Sequence, residues 1–373
     1  METDSMVSRQ KIKSAELVSG TIKTLLWMLL LCLVASIVLV NYITGEDVLS
    51  SIVTAFLYYP LITVLPIFCY IKLKPIEKPK IFLRLDKRIE RKIAVFVILL
   101  GIFMATMILS VILFVIQIFD LAFYDSSNYF SSILPLAATS SDDFFNLIIQ
   151  FILIYILSAG IYEEVFFRGF LLNGLRPLGD KKAIVLSAAS FGLYHLHPIR
   201  GIITFFISIV WGRIAYMTGN TKYAILLHIT YNSIITILLM YIIFGHIGEY
   251  VLSVDADLLM GLEIASAIVS TLFAIELYKK IKKIVPELEN KKEDKDASIQ
   301  QKEKAKNMDV QIDENKTIIW GETKKEVMLP DSGILVKDYL EPAVIPMNIG
   351  IKISYAFYVL ITLSLTVLVL LAS

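Results

Sequence analysis

The sequence predicts an all-α polytopic membrane protein of about nine transmembrane helices, with a charged cytoplasmic linker before the last. Three observations lead there. Hydrophobic residues make up 57% of the 373-residue chain and charged residues only 18%, with a mean hydropathy of +0.71, far more apolar than an average soluble domain. Apolar runs of spanning length recur from end to end. The cations are segregated: nine Lys or Arg lie between Lys72 and Lys92, and none in TGEDVLS, DLAFYDSSNYFSSILPLAATSSDD or GHIGEYVLSVDAD. The global balance, 35 Lys and Arg against 34 Asp and Glu, says little beside that placement.

The first two runs, 24–44 and 52–71, form an accessory pair followed by a basic loop, so residues 1–92 are taken as one unit. The first run has no small-residue cleavage site after it and reads as an uncleaved anchor. Runs at 93–119, 145–167, 183–198, 201–218, 223–244 and 258–278 make a continuous helical block, and residues 93–281 are the expected functional core. The runs at 183–198 and 201–218 are short and separated only by HLHPIRG, which fits a tight helical hairpin or a partly re-entrant pair; irregular backbone at depth is tolerated only inside protein. From 282 to 345 the composition turns to mixed charge with few aromatics, a solvated linker. Within it, TIIWGETKKEVMLPDSGILVKDYLE alternates around a Pro-Asp-Ser-Gly turn, open to either a short hairpin or a disordered tether. The last run, 349–371, lies in a terminal unit spanning 346–373 and is expected either to pack on the core or to recruit a membrane-protein partner. The positive-inside rule puts the amino terminus in the cytoplasm and, with nine spans, the carboxyl terminus outside. Cys32 and Cys69 fall in apolar runs without metal-type spacing.

The chemistry concentrates in FFNLIIQFILIYILSAGIYEEVFFRGFLLNGL. Glu163, Glu164 and Arg168 interrupt an otherwise apolar span, and ionisable groups at membrane depth mark a functional site by default. On an α-helix Glu164 and Arg168 stand four residues apart with the acid nearer the amino terminus, the favourable order for an ion pair. Glu163 points about 100° away and is left to face a cavity as a general base. Counting about 1.5 Å per residue, Glu163 lies about 20 Å from Arg176 and His195 about 20 Å from Lys182. The turn RPLGDKK between them makes the helices antiparallel neighbours, so the acid and the imidazole stand level. His228 and Asn232, at i and i+4, share a face of a third helix, and the three helices are expected to converge on a cytoplasmically accessible layer.

This set fits water activation by Glu163 and His195, with His228 and Asn232 as hydrogen-bond donors to a developing oxyanion, which is peptide hydrolysis. No cofactor is expected. The alternative is zinc held by His195, His228 and Glu163; against it, there is no H-E-x-x-H and each ligand comes from a different helix. Phe191 is expected to shape the cavity wall. Arg200 is expected to snorkel to the interface, His246 to lie in an outer loop, and Trp27 and Trp211 to serve belts and packing. A transporter would also use buried Glu, Arg and His, but the inverted repeats it predicts are not seen. A non-catalytic scaffold is the third class.

The motifs Y-E-E-V-F-F-R-G, F-G-L-Y-H and H-I-T-Y-N resemble the three patterns of the type II CAAX prenyl endopeptidase family, also called the CPBP or Abi family of intramembrane proteases. E-E-x-x-x-R matches at Glu163, Glu164 and Arg168, F-x-x-x-H at Phe191 and His195, and H-x-x-x-N at His228 and Asn232. The resemblance covers roughly 93–281. It implies a conical cavity open to cytoplasm and lipid, a glutamate and histidine activating water, and His228 with Asn232 stabilising the oxyanion. The implied substrate is a peptide or prenylated protein arriving from membrane or cytoplasm, and no nucleic acid is expected as a partner. The family also holds immunity proteins and members without demonstrated proteolysis. The charged linker and ninth helix depart from its usual pattern.

Overall fold

A computed structural model describes residues 2–43, 52–74, 76, 78–123, 148–196, 198–244 and 256–309, with Ile351, Lys352, Tyr355, Ala356 and Val359 near the carboxyl end. Among them the fold is a helical bundle. We label α1 Glu2–Ile43, α2 Thr54–Leu73, the single turn α3 Pro79–Phe82, α4 Arg91–Phe123, α5 Ile148–Leu178, α6 Asp180–Tyr194, α7 Pro198–Thr218, α8 Thr221–Phe244 and α9 Ala256–Asp309. Six stretches among the described residues are long and apolar enough to cross a membrane: Lys11–Cys32, Thr54–Leu73, Arg91–Val115, Ile148–Leu178, Pro198–Thr218 and Asp257–Leu288. The PDSG segment, His197, His246 and most of the last expected span lie outside the described residues.

The short helices form a hairpin. α6 stops at Tyr194, sooner than the run 183–198 implies, because the chain turns at Leu196 (φ 51°) and α7 begins at once with Pro198. Proline is well placed in a first helical turn and disfavours helix in the residue before it. The two arms approach through Gly192 and Gly201: a Cβ on Gly192 would sit 2.6 Å from the Gly201 carbonyl oxygen. At the opposite end Gly179, at φ 97°, reverses the chain between α5 and α6.

The cationic loops gather at that same end. Thr221 Oγ1 donates to the Leu83 carbonyl at 2.8 Å, Lys222 Nζ to that of Lys87 at 2.8 Å, and the Glu90 amide to Tyr223 Oη at 2.6 Å. Tyr216 Oη donates to Asp180 at 2.6 Å. The basic loop after α2, the α5–α6 turn and the α7–α8 turn therefore share one face of the bundle. Burial, reinforced by the nearby Arg176 charge, holds the Arg84 guanidinium below its ordinary pKa.

Residues 1–92 are not peripheral. Leu17, Val18, Ile22 and Leu25 of α1 are buried in the same core as Phe166, Phe170 and Leu175 of α5, and α2 supplies a wall of the cavity described below. A boundary at residue 93 thus does not separate a self-contained core. At the other side α4 and α9 are joined by Ser110 to Ser266 (2.9 Å), Gln117 to Glu263 (3.2 Å) and the stacked rings of Phe103 and Phe273. α9 runs unbroken through Pro286 to Asp309, so the first part of the expected linker, 282–309, is helix. A composition too polar to form a core is still rich in helix formers such as Lys, Glu and Gln, and Glu287 and Lys291 have the favourable i, i+4 order.

The carboxyl-terminal residues touch the core as well. Tyr355 Oη lies 2.7 Å from the Leu186 carbonyl and 2.9 Å from Ser190 Oγ on α6, and Ile351 and Tyr355 are both buried. Packing on the core is therefore the arrangement found for these residues.

Candidate active site

α5 does not keep ordinary α-helical turns. Over Phe151–Glu163 and again over Val165–Leu171 its backbone takes the wider i→i+5 pattern, an arrangement found disproportionately at functional sites. The 100° step between Glu163 and Glu164 therefore does not carry over, but the partition it implied does: Glu163 lines a cavity, whereas Glu164 and Arg168 stand behind its wall.

The cavity holds about 220 Å³ and is bounded by α2, α4, α5, α6, α7 and α8. Glu163 from α5, Phe191 from α6, His195 at the α6 end, and His228 and Asn232 from α8 all line it. Its remaining wall is aromatic and aliphatic, with Tyr59, Tyr155, Trp211 and Tyr231 prominent. Glu163 is 5% exposed and has no hydrogen bond or ion pair to a described residue. His195 Nδ1 lies 2.8 Å from the Phe191 carbonyl. A carbonyl only accepts, so Nδ1 carries the proton, and in the neutral ring Nε2 is then an acceptor.

Behind the wall runs a buried relay. Arg168 donates to Glu164 at 2.7 Å and to Ser208 of α7 at 2.6 Å, and Glu164 Oε1 lies 2.9 Å from His228 Nδ1. Arg168 also lies over the Phe191 ring at 4.4 Å and near Trp211 at 5.3 Å, while Trp211 packs against the His228 ring with centroids 4.2 Å apart. The expected Glu164–Arg168 pair is thus one edge of a four-residue network reaching His228. Asn232 Nδ2 donates to the Tyr155 carbonyl at 2.6 Å, which leaves its second N–H for other use.

Several readings change with the geometry. The cavity lining continues from Glu163 toward Ile112, Arg200 and Thr236, away from the face where the basic loops gather. Arg200, expected at the interface, lines the cavity. Trp211, expected as packing, does pack, 2% exposed and against the His228 ring. Tyr59 and Tyr155 carried no such mark among 18 tyrosines. Cys32 sits 3.4 Å from Tyr58 Oη and Cys69 is exposed.

Residues 145–234 match the family model described as type II CAAX prenyl endopeptidase Rce1-like. This segment is similar to an Rce1-like domain. It contains all three motifs and spans α5 through the first half of α8, so Glu163, Glu164, Arg168, Phe191, His195, His228 and Asn232 all fall inside it. No curated protein and no solved structure matches the chain. The Rce1-like domain supports an integral-membrane protease of the CAAX type; it does not extend to α1–α4, α9 or the carboxyl-terminal residues, although α2 and α4 both supply its cavity wall. Whether the site suits zinc is a matter of convergence. Among the described residues no three His, Cys, Asp or Glu side chains come together as a metal site.

Proposed function

We propose that the protein is an intramembrane endopeptidase that hydrolyses a peptide bond of a membrane-associated or lipidated substrate, with water activated by Glu163 and His195. The observation that carries this reading is the shared cavity: an unpaired, buried carboxylate faces an imidazole whose Nε2 is an acceptor, with His228 and Asn232 in the same wall. A water held between Glu163 and His195 Nε2 gives a proton to Glu163 as its oxygen attacks the scissile carbonyl. The tetrahedral oxyanion then accepts hydrogen bonds from Asn232 and His228. Its collapse breaks the C–N bond, and the proton on Glu163 passes to the leaving amine.

The relay constrains His228. With Nδ1–H donated to Glu164, the neutral ring presents only an acceptor at Nε2. Donation to an oxyanion therefore requires the imidazolium, which the Glu164 carboxylate is placed to stabilise. Glu164, Arg168 and Ser208 are positioning residues on this account, and Phe191 and Trp211 hold the two rings. The proposed chemistry uses no metal.

The test is turnover of a farnesylated C-a-a-X peptide beside an unprenylated membrane peptide of the same sequence, by wild type and Glu163→Gln in detergent or nanodiscs. Cleavage of either by wild type and not by Glu163→Gln is expected. Equal turnover by both proteins would remove Glu163 from the reaction, and no turnover of any peptide would favour a binding or immunity role for the fold.

A further inference from the structure

A second void opens on the face where the basic loops gather. It holds about 290 Å³, and its lining includes Arg84 and Lys87 from the loop after α3, Asn173 and Arg176 from the end of α5, and Tyr216 and Gly219 where α7 gives way to the α7–α8 turn. The spans of α5 and α7 end at Leu178 and Thr218, and that of α4 begins at Arg91, so the void lies at the boundary between membrane and water. Three of the lining side chains are cationic, and among the described residues no Asp or Glu lines it.

The backbone holds these cations in place. Arg84 turns the chain at φ 54°, a left-handed conformation uncommon for a residue with a Cβ. Its carbonyl accepts from the Thr221 amide at 2.9 Å, that of Leu83 from Thr221 Oγ1 at 2.8 Å, and that of Lys87 from Lys222 Nζ at 2.8 Å. The loop is thus fastened by its carbonyls to the α7–α8 turn, which leaves its side chains to the void. Gly219, at φ 55°, clears space beside them: a Cβ there would stand 3.1 Å from Lys87 Nζ and 3.9 Å from Arg84 Nη1. Arg176 is steadied by Asp180, 3.4 Å from its Nε, and by the Tyr216 ring at 5.4 Å. Those contacts leave some of its five N–H donors unused, and the Arg84 guanidinium makes no hydrogen bond or ion pair to a described residue.

Arg84 and Arg176 are close enough for Arg84 to feel the other charge, while the acids beside them, Asp86 and Asp180, stand outside the lining. Like charges converging on one space disfavour each other, and an anion between them relieves the repulsion. Arginine matches phosphate in bidentate geometry, and a phosphate offers three oxygens to donors arriving from several directions, against two for a carboxylate. We propose that this void is a phosphate-binding site in which Arg84 and Arg176 hold the phosphate group and Lys87 adds charge. At this depth the group has two sources, the headgroup of a phospholipid or a phosphate from solution.

Two probes on the full-length protein in non-ionic detergent separate the sources. Inorganic phosphate is titrated by isothermal titration calorimetry at constant ionic strength, with acetate as the comparison anion. Phosphatidylglycerol in detergent micelles is titrated into delipidated protein and counted by native mass spectrometry. Arg84→Ala and Arg176→Ala should each weaken at least one probe by about 10- to 100-fold, the range expected for a hydrogen bond to a charged group, and Arg84→Lys should keep part of the affinity because charge remains without the fork. The probe bound more tightly identifies the source. Lys182→Ala removes a cation of the same face outside the lining and should leave both titrations unchanged. The assignment is overturned if neither probe binds the wild type, if the arginine variants bind both like wild type, if Lys182→Ala weakens binding as much as Arg84→Ala, or if acetate binds with the same affinity and the same dependence on the arginines. Arg84→Gln repeats the comparison should an alanine variant not fold.

Discussion

Replacing Arg168 by methionine removes the guanidinium from a position 1% exposed and leaves Glu164, fully buried, with His228 as its one polar partner among the described residues. The change deletes a 2.7 Å ion pair, a 2.6 Å hydrogen bond to Ser208 and contacts over Phe191 and Trp211, while the methionine fills much of the arginine stem. Breaking one side of a buried pair costs about 3–5 kcal/mol, chiefly because the remaining charge is uncompensated. For a chain of this length, at about 2 °C per kcal/mol, the apparent unfolding temperature should fall by roughly 6–10 °C. Glu164→Gln should fall comparably, since it strands Arg168 instead. The double variant Arg168→Met, Glu164→Gln has no stranded charge, and its loss should be less than either single loss rather than their sum. Temperature-dependent size-exclusion recovery of detergent-solubilised protein measures all four species. Additive losses in the double variant would show that the pair is not coupled and that the relay to His228 has been misread.

Four further outcomes are expected. Glu163→Gln should lower peptide turnover by at least about 10²-fold, in line with loss of a general base, with an unfolding temperature within a few degrees of wild type, because Glu163 pairs with no described residue; a large loss of stability in this variant would make it structural. Gly192→Ala should destabilise by about 1–3 kcal/mol through overpacking, because its Cβ would meet the Gly201 carbonyl oxygen at 2.6 Å, a backbone atom that cannot rotate aside; an unchanged unfolding temperature would mean the hairpin opens freely. Trp211→Phe should keep most activity and Trp211→Ala should not, since the indole N–H has no hydrogen-bond partner among the described residues and the ring stacks on His228; equal activity of the two variants would remove the packing role. Turnover should survive prolonged o-phenanthroline treatment, and loss with recovery on stoichiometric zinc would replace the water-only mechanism.

How far the sequence could be read depended on whether the information was local. Glu164 and Arg168 are four residues apart, so their pairing followed from helix spacing, and with it the separate role of Glu163. The Glu164–His228 contact joins residues 64 apart and depends on how α8 packs beside α5, which no periodicity encodes. The hairpin was foreshadowed by HLHPIRG, and the Pro198 signal was strong enough to end α6 before His195. That Arg200 also lines the cavity was not legible, because the packing of α7 beside α5 and α8 is not encoded in local spacing. The charged second half of α9 illustrates two properties that composition reports together: it lacks the apolar area for a core, yet its residues favour helix.

The attachment of Tyr355 to Leu186 and Ser190 has one more consequence. Both partners sit on α6, the helix that delivers Phe191 and His195, so Tyr355 acts on that helix as an intramolecular ligand, held at high effective concentration because the same chain supplies it. Its occupancy is then set by the length and composition of the intervening segment, residues 310–350, and not only by the contact itself. Lengthening the sequence between Asp309 and Ile351 should lower that effective concentration and with it the stability that this contact lends to α6.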